Sequence, residues 1–487
     1  MRQRQDLLRE PSAQPLIRSV RCLARTSQTS GRGAAAVRTQ RLSALTVPPA
    51  NVTFEHLMAS TGGALARACV GAALLLTLVH STPAALPPSL ESAPAPRAAG
   101  ELRALWVLRS SLTSPERIAG LVHSAKRNGF NALFVQVRGR GDAYYKAHLE
   151  PRASELSRQP RHFDPLAELL KVSRAADLRV HAWVNVNLVS SATYLPTAPQ
   201  HVVARHPEWL MVPRGIAREL ARVSPSNPEY VRRLASWTRK HSAEVEGLYV
   251  SPVHASAVTH LRSVVREIVR GYPVDGVHFD YVRYPNDDFD YSRAAVREFR
   301  KWIESAVPAA RRRERGGRKE HDVFALPDAL PDDWRRFRVS HVTRLVSQLR
   351  DVVKEERPAA VVSVAVAADA QEALNGRLQD WTRWLDEGIV DAVCPMAYTA
   401  ENGKFVEQIT AAVAAAGDRQ VWAGIGSYRL SPAQTVANIT AARRLGAGGI
   451  ILFSYDSLTG SGKLSKDYLS LVSRAAFTRT APHGSSR

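Results

Sequence analysis

Cysteine is nearly absent from this 487-residue chain: Cys22, Cys69 and Cys394 lie far apart, with no Cys-x-x-Cys and no Cys/His spacing. That excludes both a disulfide framework and a zinc module, so stability must come from packing. A membrane-spanning run is also lacking, since the apolar stretch from Cys69 to Val79 is too short to cross a bilayer. There is no Gly-rich phosphate turn after the first β-type run, where Arg109 is followed by Ser-Ser-Leu-Thr-Ser, which argues against a dinucleotide fold. Gly446, Gly448 and Gly449 cluster, yet they precede a β-type run and read as the end of a helix. His, Asp and Glu do not recur at metal-ligand spacing. The isolated His181 and His278 are expected to be packed, hydrogen-bonded structural residues, and no metal or cofactor is expected.

What is present is an ordinary globular composition, 45% hydrophobic and 23% charged, long enough for one large barrel with extensions. The net charge of +21 invites a nucleic-acid reading. Its distribution weakens that reading. Residues 1–57 hold nine arginines against three acids in a Ser-, Ala-, Gly- and Pro-rich segment without apolar periodicity, and Arg311-Arg312-Arg313-Glu314-Arg315 with Gly316-Gly317-Arg318-Lys319 reads as a solvated loop. No aromatic-plus-basic recognition motif accompanies either run. A basic nucleic-acid-binding protein therefore rests on net charge alone.

The run from Cys69 to Val79, preceded by Arg67 and followed by Ser81-Thr82-Pro83-Ala84-Ala85, has the layout of a secretory signal. Met58 is a natural start for it, which makes 1–57 an over-extended gene start, 58–85 a signal peptide and 86–100 a Pro/Ala-rich linker. The expected location is secreted or periplasmic, with an uncleaved N-terminal anchor as the alternative. Folding is expected over 101–475, with a disordered tail at 476–487.

From Glu101 onward, short β-branched or aromatic runs alternate with amphipathic helical stretches, the pattern of parallel strands joined by crossover helices. Eight strands are predicted: Ala104 to Arg109, Asn131 to Val137, Val180 to Val186, Gly276 to Val282, Val361 to Ala367, Ala392 to Tyr398, Val421 to Ile425 and Gly449 to Ser454. Eight closes a (β/α)8 TIM barrel, here with long insertions after strands three and four. Ser114-Pro115 and Asp164-Pro165 supply helix starts.

In such a barrel the site is built from the residues at the strand C-termini. These are Arg109; Gln136 and Arg138; Trp183 and Asn185; Asp280, Tyr281, Arg283 and Tyr284; Tyr398; and Tyr455. Aromatics interleaved with amides, arginines and carboxylates suit a polyhydroxylated ligand, whose ring faces stack and whose hydroxyls need donors and acceptors. Asp280, following Val-His-Phe on a buried strand, is costly unless paired or functional, and Arg283 is placed to keep it ionised. Asp275, on the N-terminal side of that strand, is expected to tie the preceding turn.

The strings ELRALWV (101–107), NALFVQVRGRGDAYY (131–145), HAWVNVN (181–187), HPEWL (206–210), DGVHFDYVRYP (275–285), DAVCPMAYT (391–399) and GGIILFSYD (448–456) resemble the bacterial glycosyl-hydrolase-like family ten. The resemblance covers roughly 101–460 and implies a secreted TIM-barrel glycosidase related to amylase-type barrels. It places Asp280 where related barrels hold a catalytic carboxylate, as nucleophile or base. Related barrels take their acid after strand five, where this chain offers Asp369, with Asp142, Glu401 and Asp456 as competitors. The expected substrate is a polysaccharide or cell-wall glycan, cleaved at an O-glycosidic bond. The opposing reading is a barrel that binds carbohydrate without cleaving it. Trp183, Asn185, Tyr398 and Tyr455 are expected to line one pocket with Asp280.

Overall fold

Each predicted β-type run forms a strand in the computed structural model, which describes residues 100–306, 324–459 and 467–477. The strands are β1 (Leu102–Val107), β2 (Ala132–Arg138), β3 (Arg179–Asn185), β4 (Gly276–Asp280), β5 (Val361–Ala367), β6 (Ala392–Ala397), β7 (Gln420–Ile425) and β8 (Gly449–Phe453). They pair in parallel in chain order, and β8 closes on β1 to complete the barrel. One covering helix follows each strand: α1 (Pro115–Arg127), α2 (Pro165–Ala175), α3 (Ala255–Gly271), α4 (Pro331–Glu356), α5 (Trp381–Asp386), α6 (Asn402–Ala416), α7 (Pro432–Arg444) and α8 (Tyr468–Ala476). Ser114 and Asp164 cap α1 and α2 through their side-chain oxygens, each ahead of a proline that is pre-set for the first turn. Gly446 ends α7 at a positive φ of 85°.

The period-2 alternation sorts every strand into two faces. Leu105, Val107, Leu133, Val135, Val180, Val184, Phe279 and Leu452 point outward into the shell packed against the helices. Leu102, Ala104, Trp106, Ala132, Phe134, Trp183, Cys394, Trp422 and Ile451 fill the barrel. At its base Phe134 stacks on His181 with ring centres 4.3 Å apart, and Trp422 meets both rings edge-on. Burying each of these large rings contributes about 1.5–3 kcal/mol. Gly276 makes room for them, because a Cβ there would stand 2.3 Å from the His181 ring. Burial drives the His181 imidazole down to about 3, so both core histidines are neutral packing elements near neutral pH. Asp275 accepts from the Val180 amide at 2.7 Å, tying β4 to the start of β3.

The long insertions follow β3 and β4. The first carries the helix Pro228–Lys240 and is pinned back by the bridges Leu188 to Tyr249 and Leu210 to Val250. The second carries the helix Arg293–Ala306 and leads into α4. No helix among the described residues is long and apolar enough to cross a membrane. The gene-start, signal and linker segments before residue 100, the basic run at 311–319 and the tail after 477 lie outside the described residues.

Candidate active site at the barrel mouth

The uppermost inward positions of β2, β3 and β4 are Gln136, Asn185 and Asp280, and Asn185 lies directly across the ladder from Asp280. A cavity of about 630 Å³ opens above them. Its floor and walls are aromatic: Trp106, Trp183, Tyr281, Tyr398 and Phe453. Tyr398 sits 5.4 Å from Phe453 and edge-on to Trp106 at 6.2 Å, ring centre to ring centre. One layer down, the Trp106 indole donates to His278 Nε2 at 3.0 Å, and His278 Nδ1 stands 2.9 Å from Ser363 Oγ. Burial holds the His278 imidazole far below its ordinary range. The neutral ring accepts at Nε2, so its proton sits on Nδ1 and points at the serine. That chain locks the plane of Trp106.

The polar lining is a connected set. Arg109 Nη1 donates to Gln136 Oε1 at 2.8 Å, the Gln136 amide faces Asn185 Oδ1 at 3.4 Å, and Asn185 Nδ2 donates to the Gly139 carbonyl at 2.8 Å. Asp280 is 7% exposed and makes no ion pair among the described residues. Its Oδ1 accepts from the Tyr281 amide at 2.6 Å. Burial pushes this carboxyl up to about 6; the positive charge of Arg283 and the Tyr281 amide draw it down, and the negative charge of Glu246 pushes it up. The residue behind it, Tyr281, holds a left-handed φ of 51°, a conformation costing about 1–3 kcal/mol outside glycine. That turn ends β4 two residues short of the predicted Val282 and swings the Tyr281 ring into the cavity.

Arg283 also lines the cavity, with its guanidinium 4.6 Å over the Tyr281 ring. Its ion-pair partner is Glu246 of the first insertion, at 2.8 Å. Arg283 therefore acts on Asp280 through space, without a direct contact.

The expected cluster of Asp280, Trp183, Asn185 and Tyr398 does line this one cavity, as do Arg109, Gln136, Tyr281 and Arg283. Four expectations are corrected. Asp369 is exposed, lies outside the cavity and caps the short helix Ala370–Gly376, its Oδ1 accepting from the Glu372 amide at 2.8 Å. Arg138 is wholly buried outside the cavity: the register shifts between Gln136 and Arg138, breaking the alternation, and the guanidinium forms a bidentate pair with Glu150 at 2.6 and 2.8 Å. Tyr284, past the Tyr281 turn, is buried in the outer shell with Arg338 of α4 over its ring. Tyr455 opens a short helix immediately after β8, so strand alternation no longer applies, and it packs against the outer shell.

The competing acids are accounted for. Asp456 accepts from the Leu108 amide and from the Ser110 and Ser111 hydroxyls, Asp142 from the Arg140 amide, and Glu401 stands exposed at the start of α6. The second carboxylate lining the cavity is Glu155, on the loop after β2. Sequence patterning does not expose it, because it follows β2 by a long irregular loop and has no periodic context. Burial raises the Glu155 carboxyl, but its backbone amide, Ser154, Arg109 and Tyr144 outweigh that and hold it below the usual range. Among the described residues no group of three or more His, Cys, Asp or Glu side chains is placed to hold a metal ion.

A closed eight-stranded parallel barrel is a TIM barrel, and the aromatic, carboxylate-bearing cleft lies at the C-terminal mouth where that fold builds its active sites. Residues 101–436 match the family described as Glycosyl hydrolase-like 10, and the chain belongs to that family. It is 24% identical over 329 residues to glycosyl hydrolase YngK of Bacillus subtilis, covering 61% of this chain and 54% of that protein. Glycosyl hydrolase DigH of Escherichia coli is 24% identical over 293 residues, 56% of this chain and 55% of that one. The chain thus spans about half the length of these curated relatives. Among solved structures, the glycoside hydrolase domain of PgaB (BpsB) from Bordetella bronchiseptica superposes with a TM-score of 0.53 at 16% identity, over 78% of this chain and all of that one. The catalytic domain of β-amylase from Paenibacillus polymyxa gives 0.51 at 11%, over 77% and 99%. Both show the fold alone.

Proposed function

We propose that this protein hydrolyses an O-glycosidic bond in a polysaccharide, with Asp280 as the proton-transferring carboxyl and Glu155 as its ionised partner. The observation that carries the reading is Asp280 itself: a nearly buried carboxyl at the end of β4, without an ion pair among the described residues, facing an aromatic cavity. Leaving a charge there has a cost that packing does not repay, which is the mark of a group kept for chemistry. Two carboxyls whose surroundings push them apart divide the work of an acid and a base. Burial keeps Asp280 protonated up to about pH 6, suiting it to protonate the leaving oxygen. Glu155, held ionised, suits stabilisation of an oxocarbenium-like centre or activation of water. This reverses the nucleophile-or-base role that the resemblance implies for Asp280.

The aromatic walls offer sugar faces a stacking surface, and the Arg109–Gln136–Asn185 chain offers hydroxyls donors and acceptors. Export of the mature protein is part of the same proposal, supported by the Cys69 to Val79 run. The test is Asp280→Asn assayed on a panel of α-glucans, β-glucans and peptidoglycan. Turnover should fall by about a thousandfold while binding survives. Full turnover by the variant would end the assignment. A wild type that binds glycans but releases no sugar from any of them would establish the noncatalytic barrel instead.

A further inference from the structure

The cleft does not stop at the Asp280 cavity. A second depression of about 290 Å³ adjoins it, and Arg109, Arg140 and Glu155 line both. Its outer rim carries Tyr194, an aromatic ring left 76% exposed. A sugar chain seated over Asp280 would run outward past the two arginines to this ring.

The arginines are short of partners. Arg109 spends one nitrogen on the neutral Gln136 amide and makes no ion pair among the described residues. Arg140 is half-buried, and its guanidinium has no hydrogen-bond or ion-pair partner there; Asp142 is engaged with the Arg140 main-chain amide instead. Glu155 and Asp142 lie close enough to be felt but outside ion-pair distance. Burial and the neighbouring charge of Arg109 both work against the charged form of Arg140. The pair is held together by the backbone: Arg109 lies flat over Gly139, where a Cβ would come within 2.8 Å of its side chain. By contrast Arg152, on the same wall, donates to the Phe163 and Pro160 carbonyls and is used up. Two adjacent guanidiniums with free planar donor edges form a ready site for a carboxylate, which each can meet with paired hydrogen bonds.

We propose that this outer arm is a subsite for a sugar bearing a carboxylate, gripped by Arg109 and Arg140, with its ring stacked on Tyr194. The proposal rests on the glycan-cleaving reading for its orientation, and it narrows the substrate to an acidic glycan. The carboxylate could belong to the ring, as in a uronic acid, or hang from it through an ether, as in muramic acid; both present the same planar anion.

The experiment measures binding by the full-length chain to two acidic oligosaccharides, a hyaluronan hexasaccharide and an N-acetylglucosamine–muramic acid tetrasaccharide. Each is paired with the same molecule after reduction of its carboxylates to alcohols. At least one acidic member should bind wild type about tenfold or more tighter than its reduced counterpart, the size expected for charged hydrogen bonds. Which of the two does so identifies the source of the carboxylate. In Arg140→Gln the ratio should drop toward one, whereas Arg140→Lys, which keeps the charge but loses the paired donor edge, should retain only part of it, with circular dichroism verifying the fold of both. Equal binding of acidic and reduced forms by wild type, or a ratio that survives Arg140→Gln, overturns the subsite. Hydrolysis is scored separately. Acid preference without cleavage of any glycan sinks the catalytic proposal and leaves the subsite standing, and cleavage without acid preference does the reverse.

Discussion

The buried carboxyl of Asp280 opposes the stability of the protein that carries it, and the size of that opposition can be measured. Its surroundings move it from an ordinary 3.8 to about 6, a displacement equivalent to about 3 kcal/mol between protonation states. The folded state holds the proton more tightly than the unfolded chain. The stability contributed is therefore complete below pH 3.8 and is lost as pH rises through 6. Asn matches Asp in shape, stays neutral at every pH, and can still accept from the Tyr281 amide through Oδ1. Asp280→Asn should therefore match wild type near pH 4 and exceed it by up to about 3 kcal/mol at pH 8. Urea denaturation followed by tryptophan fluorescence at pH 4, 6 and 8 reads the difference directly. The same variant should be nearly inactive, so stability would rise where function is lost. In wild type, kcat/KM should decline as pH climbs through about 6, because the acid form of Asp280 is being removed. An Asn variant no more stable than wild type at pH 8 would refute the burial argument. Activity that instead rises through pH 6 would return Asp280 to the nucleophile-or-base role.

Glu155→Gln should lower kcat/KM by about a hundredfold or more with only a small loss of thermal stability, since the residue is an exposed side chain at the cavity wall whose charge Ser154 and Arg109 favour; wild-type turnover would remove it as the partner carboxylate. Asp369→Ala should leave kcat within twofold and cost about 1 kcal/mol through loss of the cap on the helix Ala370–Gly376, as judged by steady-state kinetics beside a urea titration. Arg138→Met should destabilise the fold by about 3–5 kcal/mol, because Glu150 would be left charged and buried. In wild type the Glu150 carboxyl is held down to about 2, burial opposing it and Arg138 with His260 overcoming it. The stability from this pair is present above the ordinary 4.5 and fades as pH falls through 2, so the variant's deficit should shrink in acid.

Most of the barrel is legible in the order of residues alone. Strand five runs from Val361 to Ala367 as predicted, and the remaining strands differ by one or two residues at their ends, because a strand buried on both sides must be a continuous apolar run and a covering helix must be periodic. The inward phase of β3 and β4 was legible too, since alternation carries Trp183, Asn185 and Asp280 to one side as long as the strand stays regular. The misplacements fall where regularity stops. Arg138 follows a register shift, Tyr284 follows the left-handed Tyr281, and Tyr455 starts a helix. Asp369 has the local sequence of a helix cap as much as of a strand-end acid, and the backbone turning into a helix at Ala370 decided between them.

The amino-acid sequence by itself therefore determined the eight-fold rhythm, the core and the strand ends that face the mouth, because these depend on local periodicity and on which side chains avoid water. Only the tertiary structure decided which polar groups share the cavity. Glu155 and Arg140 reach Asp280's cleft from irregular loops, and Glu246 claims Arg283 from an insertion 37 residues away in the chain. Such meetings depend on how long loops fold back across the barrel, and on charge acting through space at a buried site, neither of which leaves a periodic trace in the order of residues.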